Sequence, residues 1–303
     1  MTIDITEIVS LLKKERMAYE YHGNRKLSIS GFSPLSDPKP NTITWIKKID
    51  NYSLDQIDSN LGLLIVVDSL PVDTSVQDYN LIVTKDPKAT YFEILNTFFV
   101  VSERYPSVSP SAIVETSLVG DNVIIGHNCY ICSEAKIGSN VTIMNNVVIE
   151  CPTVIGNDCI IESGTIIGTR GYGYYTTHEK EIRKVPDFGG VVIGNRVEIG
   201  ANVCIARGAL ADTIIEDDVK IDNLCHIAHN VHIGARCYVV ALSMLAGSSS
   251  VEEDAYIAPG SMIMNQKTVG RNSFVGLGAV VLDDVEPNKV VVGVPARAIR
   301  ENS

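Results

Sequence analysis

Three histidines in one short segment are the side chains of this chain best suited to proton transfer. The segment runs from Ile221 to Ile233 and contains His226, His229 and His232. An imidazole titrates near neutral pH, so each of them can act as a general base or as a metal ligand. The role that each histidine can take depends on where the backbone places the three rings. Their placement follows from a sequence repeat that includes this segment.

An aliphatic residue recurs at every sixth position over most of the chain. The series runs from Ile113 to Ile167, returns at 193–205 and continues from Ile215 to Val281. Helices repeat every 3.6 residues and strands every two, so neither produces this period. A hexapeptide repeat is typical of a parallel β-helix, in which each repeat forms one side and three sides close one coil. We therefore predict a mainly β protein built on a left-handed parallel β-helix over residues 106–285.

The coil geometry singles out His229. Eighteen residues make one coil, so Gly247 lies on the next coil, about 4.8 Å above His229. We expect His229 to point outward from a flat side, since it follows the inward Ile227 by two residues. An imidazole beside a bare backbone N–H pairs a general base with an oxyanion donor, as acyl transfer from a thioester requires. His226 and His232 fall on adjacent sides of the triangle and do not converge on one metal.

The first 105 residues lack the repeat and predict a small α/β domain. The expected helices are Thr2–Lys14 and Lys88–Phe99, and the expected strands are Thr42–Ile46, Leu63–Val67 and Leu81–Val83. Tyr105–Pro110 is predicted to be a linker because it contains two prolines. Residues 286–303 follow the repeat as a C-terminal tail.

Two interruptions break the repeat. Residues 168–190 form an insertion rich in glycine, tyrosine and charge, which we expect to leave the coil as a loop. Four extra residues around Gly208–Asp212 bulge one corner. Loops on a rigid scaffold commonly carry substrate contacts, so Tyr172 and Tyr174 are predicted to contact the substrate.

The composition narrows the functional class. A net charge of −11 argues against nucleic acid or an anionic membrane as the main partner. Seven cysteines, several at small inward positions of the repeat, do not suggest a disulfide framework. The pair Cys129 and Cys132 lacks a second pair with zinc spacing. No signal peptide and no membrane span is evident, so a cytoplasmic location is expected.

Several motifs resemble one enzyme family. Their residues are Gly171–Tyr174, Lys184–Pro186, Val192–Gly200, Arg207–Ala209, Asp212–Thr213, Ile221–Asn223, Ile227–Asn230 and Ala246–Ser248, with Ile29–Gly31, Pro34–Leu35 and Thr42–Trp45 in the first domain. Together they are similar to the UDP-3-O-acylglucosamine N-acyltransferases of lipid A synthesis, and the likeness covers most of the chain.

The resemblance implies roles for particular residues. The catalytic histidine of the family falls on His229 and its oxyanion glycine on Gly247. The uracil-stacking aromatics fall on Trp45 and, one residue out of register, on Tyr52. The family also implies a homotrimer with sites in the clefts between subunits. No cofactor is bound permanently, because the acyl thioester is a co-substrate. Asp222 or Asn223 is expected to orient the imidazole.

The chain also departs from the family pattern. A second active-site histidine is replaced by Gln266, and an aspartate by Ala206. A Gly-Gly pair becomes Ala241-Leu242, which we expect to fill space along the path of the acyl chain. The C-terminal helices that help to dock acyl carrier protein are absent. The tail is instead similar to that of coenzyme A-dependent sugar acetyltransferases, where Arg297 and Arg300 would pair with coenzyme A phosphates.

These observations favour an N-acyltransferase that acts on a nucleotide-linked amino sugar with a short acyl-coenzyme A. The nearest alternative is the lipid A enzyme itself, with a 3-hydroxyacyl carrier protein as donor. Two other classes share the coil. A zinc carbonic anhydrase needs three convergent histidines, which are absent here, and a non-catalytic trimeric scaffold would not need His229 beneath Gly247.

Overall fold

The structure is a computed structural model that describes residues 2–71, 76–100, 107–150 and 152–302. The chain divides into two compact units, residues 1–103 and 104–303. The predicted boundary at residue 105 and the first two residues of the predicted linker lie outside the described residues. In the part of the chain that is described, no helix is both long and apolar enough to cross a bilayer.

The first unit is a five-stranded sheet with two helices. The helices are Ile5–Lys14 and Pro87–Phe98. The strands, in sheet order, are Glu20–His22, Asn80–Val83, Leu64–Val67, Thr42–Trp45 and Gly31–Phe32. Only Glu20–His22 runs antiparallel to its neighbour. A separate two-stranded ladder joins Ile3–Asp4 to Ser28–Ile29, and 3₁₀ turns span Ile49–Asn51, Leu54–Gln56, Ser59–Leu61 and Val76–Asp78.

Both sides of this sheet are buried. Leu64 and Val66 pack with the two helices on one side, while Ile65 and Val67 pack with the 3₁₀ segment on the other. A parallel strand covered on both sides becomes a continuous apolar run, which explains the predicted strand Leu63–Val67. The first helix begins at Ile5 rather than Thr2, because residues 3 and 4 pair as a strand.

The second unit is a parallel β-solenoid with three faces. The first face contains 124–125, 142–143, 160–161, 198–199, 220–221, 238–239, 256–257 and 274–275. The second face contains 113–114, 130–131, 148–149, 166–169, 204–206, 226–227, 244–245, 262–263 and 280–281. The third face contains 136–137, 153–155, 191–193, 213–215, 232–233, 250–251 and 268–269. The hexapeptide β-helix prediction is confirmed.

The core of the solenoid is the column of aliphatic side chains that the repeat predicts. Ile131, Ile149 and Ile167 stack in register on the second face and are fully buried. The first rung is an exception. Val114, not Ile113, pairs with Ile131, and Ile113 is 60 % exposed, so the predicted inward position of Ile113 is wrong. A terminal coil has a neighbour on one side only, which leaves its register less constrained.

Both interruptions leave the solenoid at the corner between the second and third faces, here called the second–third corner. Ile155 pairs with Ile193, 38 residues away instead of 18, and Ile193 pairs with Ile215, 22 residues away. The first insertion is not a plain loop as expected. It contains an antiparallel hairpin of Tyr174–Thr176 and Ile182–Lys184.

The residues after 285 extend the solenoid. Lys289–Val292 adds one more parallel rung to the first face, and Val290 and Val291 are buried. Arg297–Glu301 then folds back antiparallel as the outermost strand. The ladder therefore continues into the segment that the sequence suggested was a tail.

Candidate active site

His229 lies in the turn of the second–third corner, and not on a flat side as expected. The strand His226–Ile227 ends two residues earlier, and Asn230 adopts a left-handed backbone with φ of 59°. Asparagine tolerates this conformation better than most residues. The turn swings the half-buried imidazole toward the two insertions, which leave the solenoid at this corner on the two preceding coils.

Two glycines pack against the imidazole. A Cβ atom at Gly247 would lie 2.6 Å from Nε2 of His229, and one at Gly171 would lie 2.9 Å from its Cβ atom. Real Cβ atoms do not approach other heavy atoms so closely, so any side chain at either position would displace the ring. Gly247 comes from the next coil, as the repeat predicts. Gly171 comes from the insertion, where the repeat does not predict a contact with His229.

The Asn230 amide determines which imidazole nitrogen carries the proton. Its Nδ2 donates to the carbonyl of Ala211 at 2.7 Å, and its Oδ1 accepts from the N–H of Ala209 at 3.0 Å. The amide orientation is therefore fixed, and Oδ1 also lies 3.2 Å from Nδ1 of His229. Because Oδ1 can only accept, Nδ1 must donate, which leaves the Nε2 lone pair of a neutral ring free on the side of Gly247.

The N–H of Gly247 is available to a ligand. Within the described residues it has no hydrogen-bond partner, whereas the neighbouring N–H groups of Ser248 and Ser249 donate to the carbonyls of His229 and Ala246. A free N–H beside an imidazole acceptor can bind an oxyanion while the ring takes a proton.

The hairpin is fastened to the corner through Lys184. Its ammonium group donates to the carbonyl of Gly171 and lies 4.9 Å above the ring of Tyr174. The N–H of Val185 donates to the carbonyl of Gly173 at 2.9 Å. These bonds hold Gly171 against His229. Tyr172, 87 % exposed, packs edge-on to Tyr174, so both predicted tyrosines lie on this hairpin.

The base of the hairpin is bonded to the four-residue bulge on the next coil. The N–H of Gly190 donates to Asp212 at 2.6 Å, and Arg207 donates to the carbonyl of Gly189 at 2.7 Å. The N–H of Phe188 donates to the carbonyl of Ala209. The two insertions therefore form one structure around His229. Sequence reasoning missed Asn230, Gly171 and Lys184 as contacts because their roles depend on this structure and not on the repeat.

Asp222, Asn223, Ala241 and Leu242 lie together at a different corner, between the first and second faces. Asp222 accepts from the N–H of Ala241 at 3.3 Å, and Asn223 accepts from the N–H of Ala201 at 2.7 Å. Within one chain the hydrogen-bond partner of the imidazole is Asn230, so the expected orientation by Asp222 or Asn223 is not observed there. Leu242 is 61 % exposed and has a left-handed φ of 64°.

The remaining predicted residues are spread over the molecule. Gln266 lies at the second–third corner, where its N–H donates to the carbonyl of Gly247 at 3.1 Å. Arg297 and Arg300 are exposed on the outermost strand. In the first unit, Trp45 stacks 6.3 Å from Tyr91 on the helix side of the sheet, whereas Tyr52 packs with the opposite cluster.

The other histidines of the segment have separate surroundings. His232 lies on the third face, with Nε2 2.8 Å from Glu216, and His226 lies on the second face. Across the described ranges, no group of three His, Cys, Asp or Glu side chains is placed to hold a metal ion.

Comparisons with known proteins agree with the hexapeptide solenoid fold. A bacterial transferase hexapeptide model of six repeats matches residues 116–149, 134–169 and 212–247. The solved UDP-N-acetylglucosamine acyltransferase from Campylobacter jejuni is 26 % identical and superposes with a TM-score of 0.57 over 64 % of this chain and 75 % of its own. That from Francisella novicida is 25 % identical, with a TM-score of 0.58 over 64 % and 70 %.

Relatives at the sequence level cover more of the chain. The UDP-3-O-acylglucosamine N-acyltransferase of Delftia acidovorans is 34 % identical over 89 % of this chain and 81 % of its own length. The enzyme of the same name from Albidiferax ferrireducens is 32 % identical over 93 % and 84 %. The resemblance found in the motifs thus extends over both units, and the chain belongs to the UDP-3-O-acylglucosamine N-acyltransferase family.

Proposed function

We propose that the protein transfers an acyl group from a thioester to the amine of UDP-3-O-acylglucosamine. The observation that carries the proposal is the orientation of His229, whose Nδ1 is held by Asn230 while Nε2 faces Gly247. This arrangement presents a base and an oxyanion donor to one point outside the second–third corner. The names of the relatives supply the substrate class.

The chemistry follows from those two groups. The neutral amine attacks the thioester carbonyl, and the N–H of Gly247 stabilises the negative charge on the carbonyl oxygen. Nε2 of His229 takes the proton that the amine loses, and Asn230 stabilises the resulting imidazolium by accepting from Nδ1. Collapse of the intermediate expels the thiolate, which recovers the proton from His229. The products are an amide and a free thiol, and no resident cofactor takes part.

The relatives favour an acceptor that already carries a 3-O-acyl group. The similarity covers 81–84 % of the length of the two relatives described above, including the N-terminal unit. The interpretation that the sequence favoured, a bare nucleotide sugar acylated by a short acyl-coenzyme A, is therefore less well supported than its alternative. Trp45 and Tyr52 remain predicted uracil contacts, and Arg297 and Arg300 remain predicted donor contacts.

We also propose that the active unit is a homotrimer with shared sites. In one chain, Asp222, Asn223 and Leu242 occupy the corner that precedes His229 by one side of the coil. A neighbouring subunit can bring its copy of this corner to the His229 of the first. Mixed trimers of His229→Ala and Asp222→Ala chains test this arrangement, because only a shared site restores activity on mixing two inactive variants.

The function is tested with purified protein and two acceptors, UDP-3-O-acylglucosamine and UDP-glucosamine, each offered with a 3-hydroxyacyl carrier protein and with acetyl-coenzyme A. We expect turnover of the 3-O-acylated acceptor, reduced about 10²–10⁴-fold in His229→Ala. The matched control is His232→Ala, whose ring pairs with Glu216 on another face and whose loss should leave the rate unchanged. Turnover of the bare sugar alone would reject the proposed acceptor.

A separate test asks whether Leu242 limits the length of the acyl chain that the donor carries. Its strained backbone and exposed side chain occupy a corner where Gly260 and Gly278 stand on the next two coils with open space around them. If Leu242 limits the acyl chain, Leu242→Gly should raise the rate with long donors relative to acetyl-coenzyme A. An unchanged ratio would show that Leu242 does not set the chain length.

A further inference from the structure

The outer surface of the second face carries a row of four soft donor side chains. Cys204 pairs in register with His226, His226 with Met244, and Met244 with Met262. Side chains alternate along a strand, and the residue after each of the four is fully buried in the lumen. The four side chains therefore point outward, one above another, on consecutive coils.

Cys204 differs from the cysteines of the lumen. Cys129, Cys159, Cys225 and Cys237 are buried, and their thiols donate to backbone carbonyls. Cys204 is only partly buried and points away from the lumen. Among the residues that the structure describes, neither its thiol nor the ring of His226 forms a hydrogen bond or a salt bridge. A thiol and an imidazole thus lie side by side without protein partners.

We propose that Cys204, His226 and Met244 bind one soft monovalent metal ion, with Cu(I) as the reference ion. Thiolate and thioether sulfur favour Cu(I), and imidazole suits copper as well. Neighbouring rungs lie about 4.8 Å apart. Metal–sulfur and metal–nitrogen bonds of about 2.3 and 2.0 Å can therefore span from Cys204 to His226. The long side chain of Met244 can fold over the same ion as a third ligand.

Binding forms a metal–sulfur bond at Cys204 and releases the thiol proton to water, with no change in oxidation state.

The test is an anaerobic competition between the full-length protein and a chromophoric Cu(I) chelator, bicinchoninate. We expect one Cu(I) per chain, with the affinity reduced at least about 100-fold in Cys204→Ser and about 10–100-fold in His226→Gln and in Met244→Leu. X-ray absorption of the loaded protein should show both sulfur and nitrogen ligands.

The matched control is Cys225→Ser. Cys225 directly precedes His226 but points into the lumen, where Ser243 and Ser261 hold the equivalent position on the next two coils and donate to carbonyls. Cu(I) affinity should be unchanged in this variant. The proposal is wrong if the protein fails to compete with bicinchoninate, or if Cys225→Ser weakens binding as much as Cys204→Ser. It is equally wrong if His226→Gln and Met244→Leu bind like wild type, since Cys204 would then act as an isolated thiol.

Discussion

Two corners of the solenoid use the same backbone turn for different purposes. At the third–first corner, between the third and first faces, one residue per coil has a left-handed backbone, and these residues form a column. The column consists of Asn122, Asn140, Asp158, Arg196, Asp218, Arg236, Asp254, Asn272 and Asn288. Their side chains bond from coil to coil, for example Asn140 to Asp158 at 2.9 Å and Arg236 to Asp254 at 2.6 and 2.7 Å.

The second–third corner has left-handed residues at Asn230, Ser248 and Gln266, but Asn230 is not used to tie identical coils together. It bonds to the bulge and to His229. The difference follows from coil length. Where successive coils have the same length, a corner side chain lies beside the equivalent side chain of the next coil, and the two form one step of a ladder. Where a coil carries extra residues, the ladder is interrupted, and polar groups become available to position a catalytic side chain.

The largest effect should come from filling the space beside the imidazole. In Gly247→Ala the new methyl group would lie 2.6 Å from Nε2 of His229, so the ring must shift away from its acceptor position. We expect kcat to fall about 10²–10³-fold, because the displaced ring can no longer act as the general base, with little change in melting temperature. The control is Gly31→Ala, where the added Cβ atom has an ordinary contact of 3.9 Å. Near-normal activity of Gly247→Ala would contradict the geometry of the corner.

Removing the acceptor on the other side of the ring should have the next largest effect. Asn230→Ala leaves Nδ1 of His229 without a partner, so the wrong tautomer becomes populated and the ring can rotate. We expect kcat to fall about 10–100-fold while KM changes little. Asn146→Ala, at the first–second corner with a φ of 58°, matches the backbone conformation without touching His229, and its activity should be unaffected. Equal losses in both variants would assign the effect to the turn and not to the hydrogen bond.

The difference between the corners also explains what the sequence could predict. A fixed period of eighteen residues is enough to place Gly247 above His229, and it predicts the buried aliphatic column. The period gives no information inside an insertion, so it could not predict the contacts of Gly171 and Lys184. The expected contact of Asp222 or Asn223 with the imidazole is not seen within one chain, because seven residues of a β-helix reach from one corner to the next. Ile113 was misplaced because an end coil is paired on one side only.

A smaller loss is expected when the hairpin is loosened. Lys184→Met removes the donor to the carbonyl of Gly171 and the cation above Tyr174. Gly171 then has fewer bonds holding it against the ring, and we expect kcat to fall about tenfold. Lys180→Met changes an exposed lysine in the same hairpin, whose own backbone is left-handed with φ of 64°, and should have no effect. An equal fall in kcat in both variants would mean that the charge of the hairpin matters and that its attachment to the corner does not.

The smallest effect should come from the third–first corner, and it should concern stability alone. Arg236 holds the pKa of the Asp254 carboxyl below its usual 3.8 through a two-pronged hydrogen bond. A lowered pKa in the folded state means that this pair stabilises the protein above the ordinary pKa and that the contribution disappears as the pH falls through the folded value. Arg236→Ala should therefore lower the melting temperature by about 1–2 °C at pH 7.

That difference should shrink as the pH is lowered below 3.8, while kcat at pH 7 stays at the wild-type value. Melting curves of the two proteins between pH 7 and pH 3 measure the first point, and the acyl-transfer assay measures the second. A loss of activity in Arg236→Ala would mean that the ladder transmits strain to His229 and that the two corners are not independent. If the difference in melting temperature persists in acid, Arg236 stabilises the protein through packing of its aliphatic chain and not through its ion pair with Asp254.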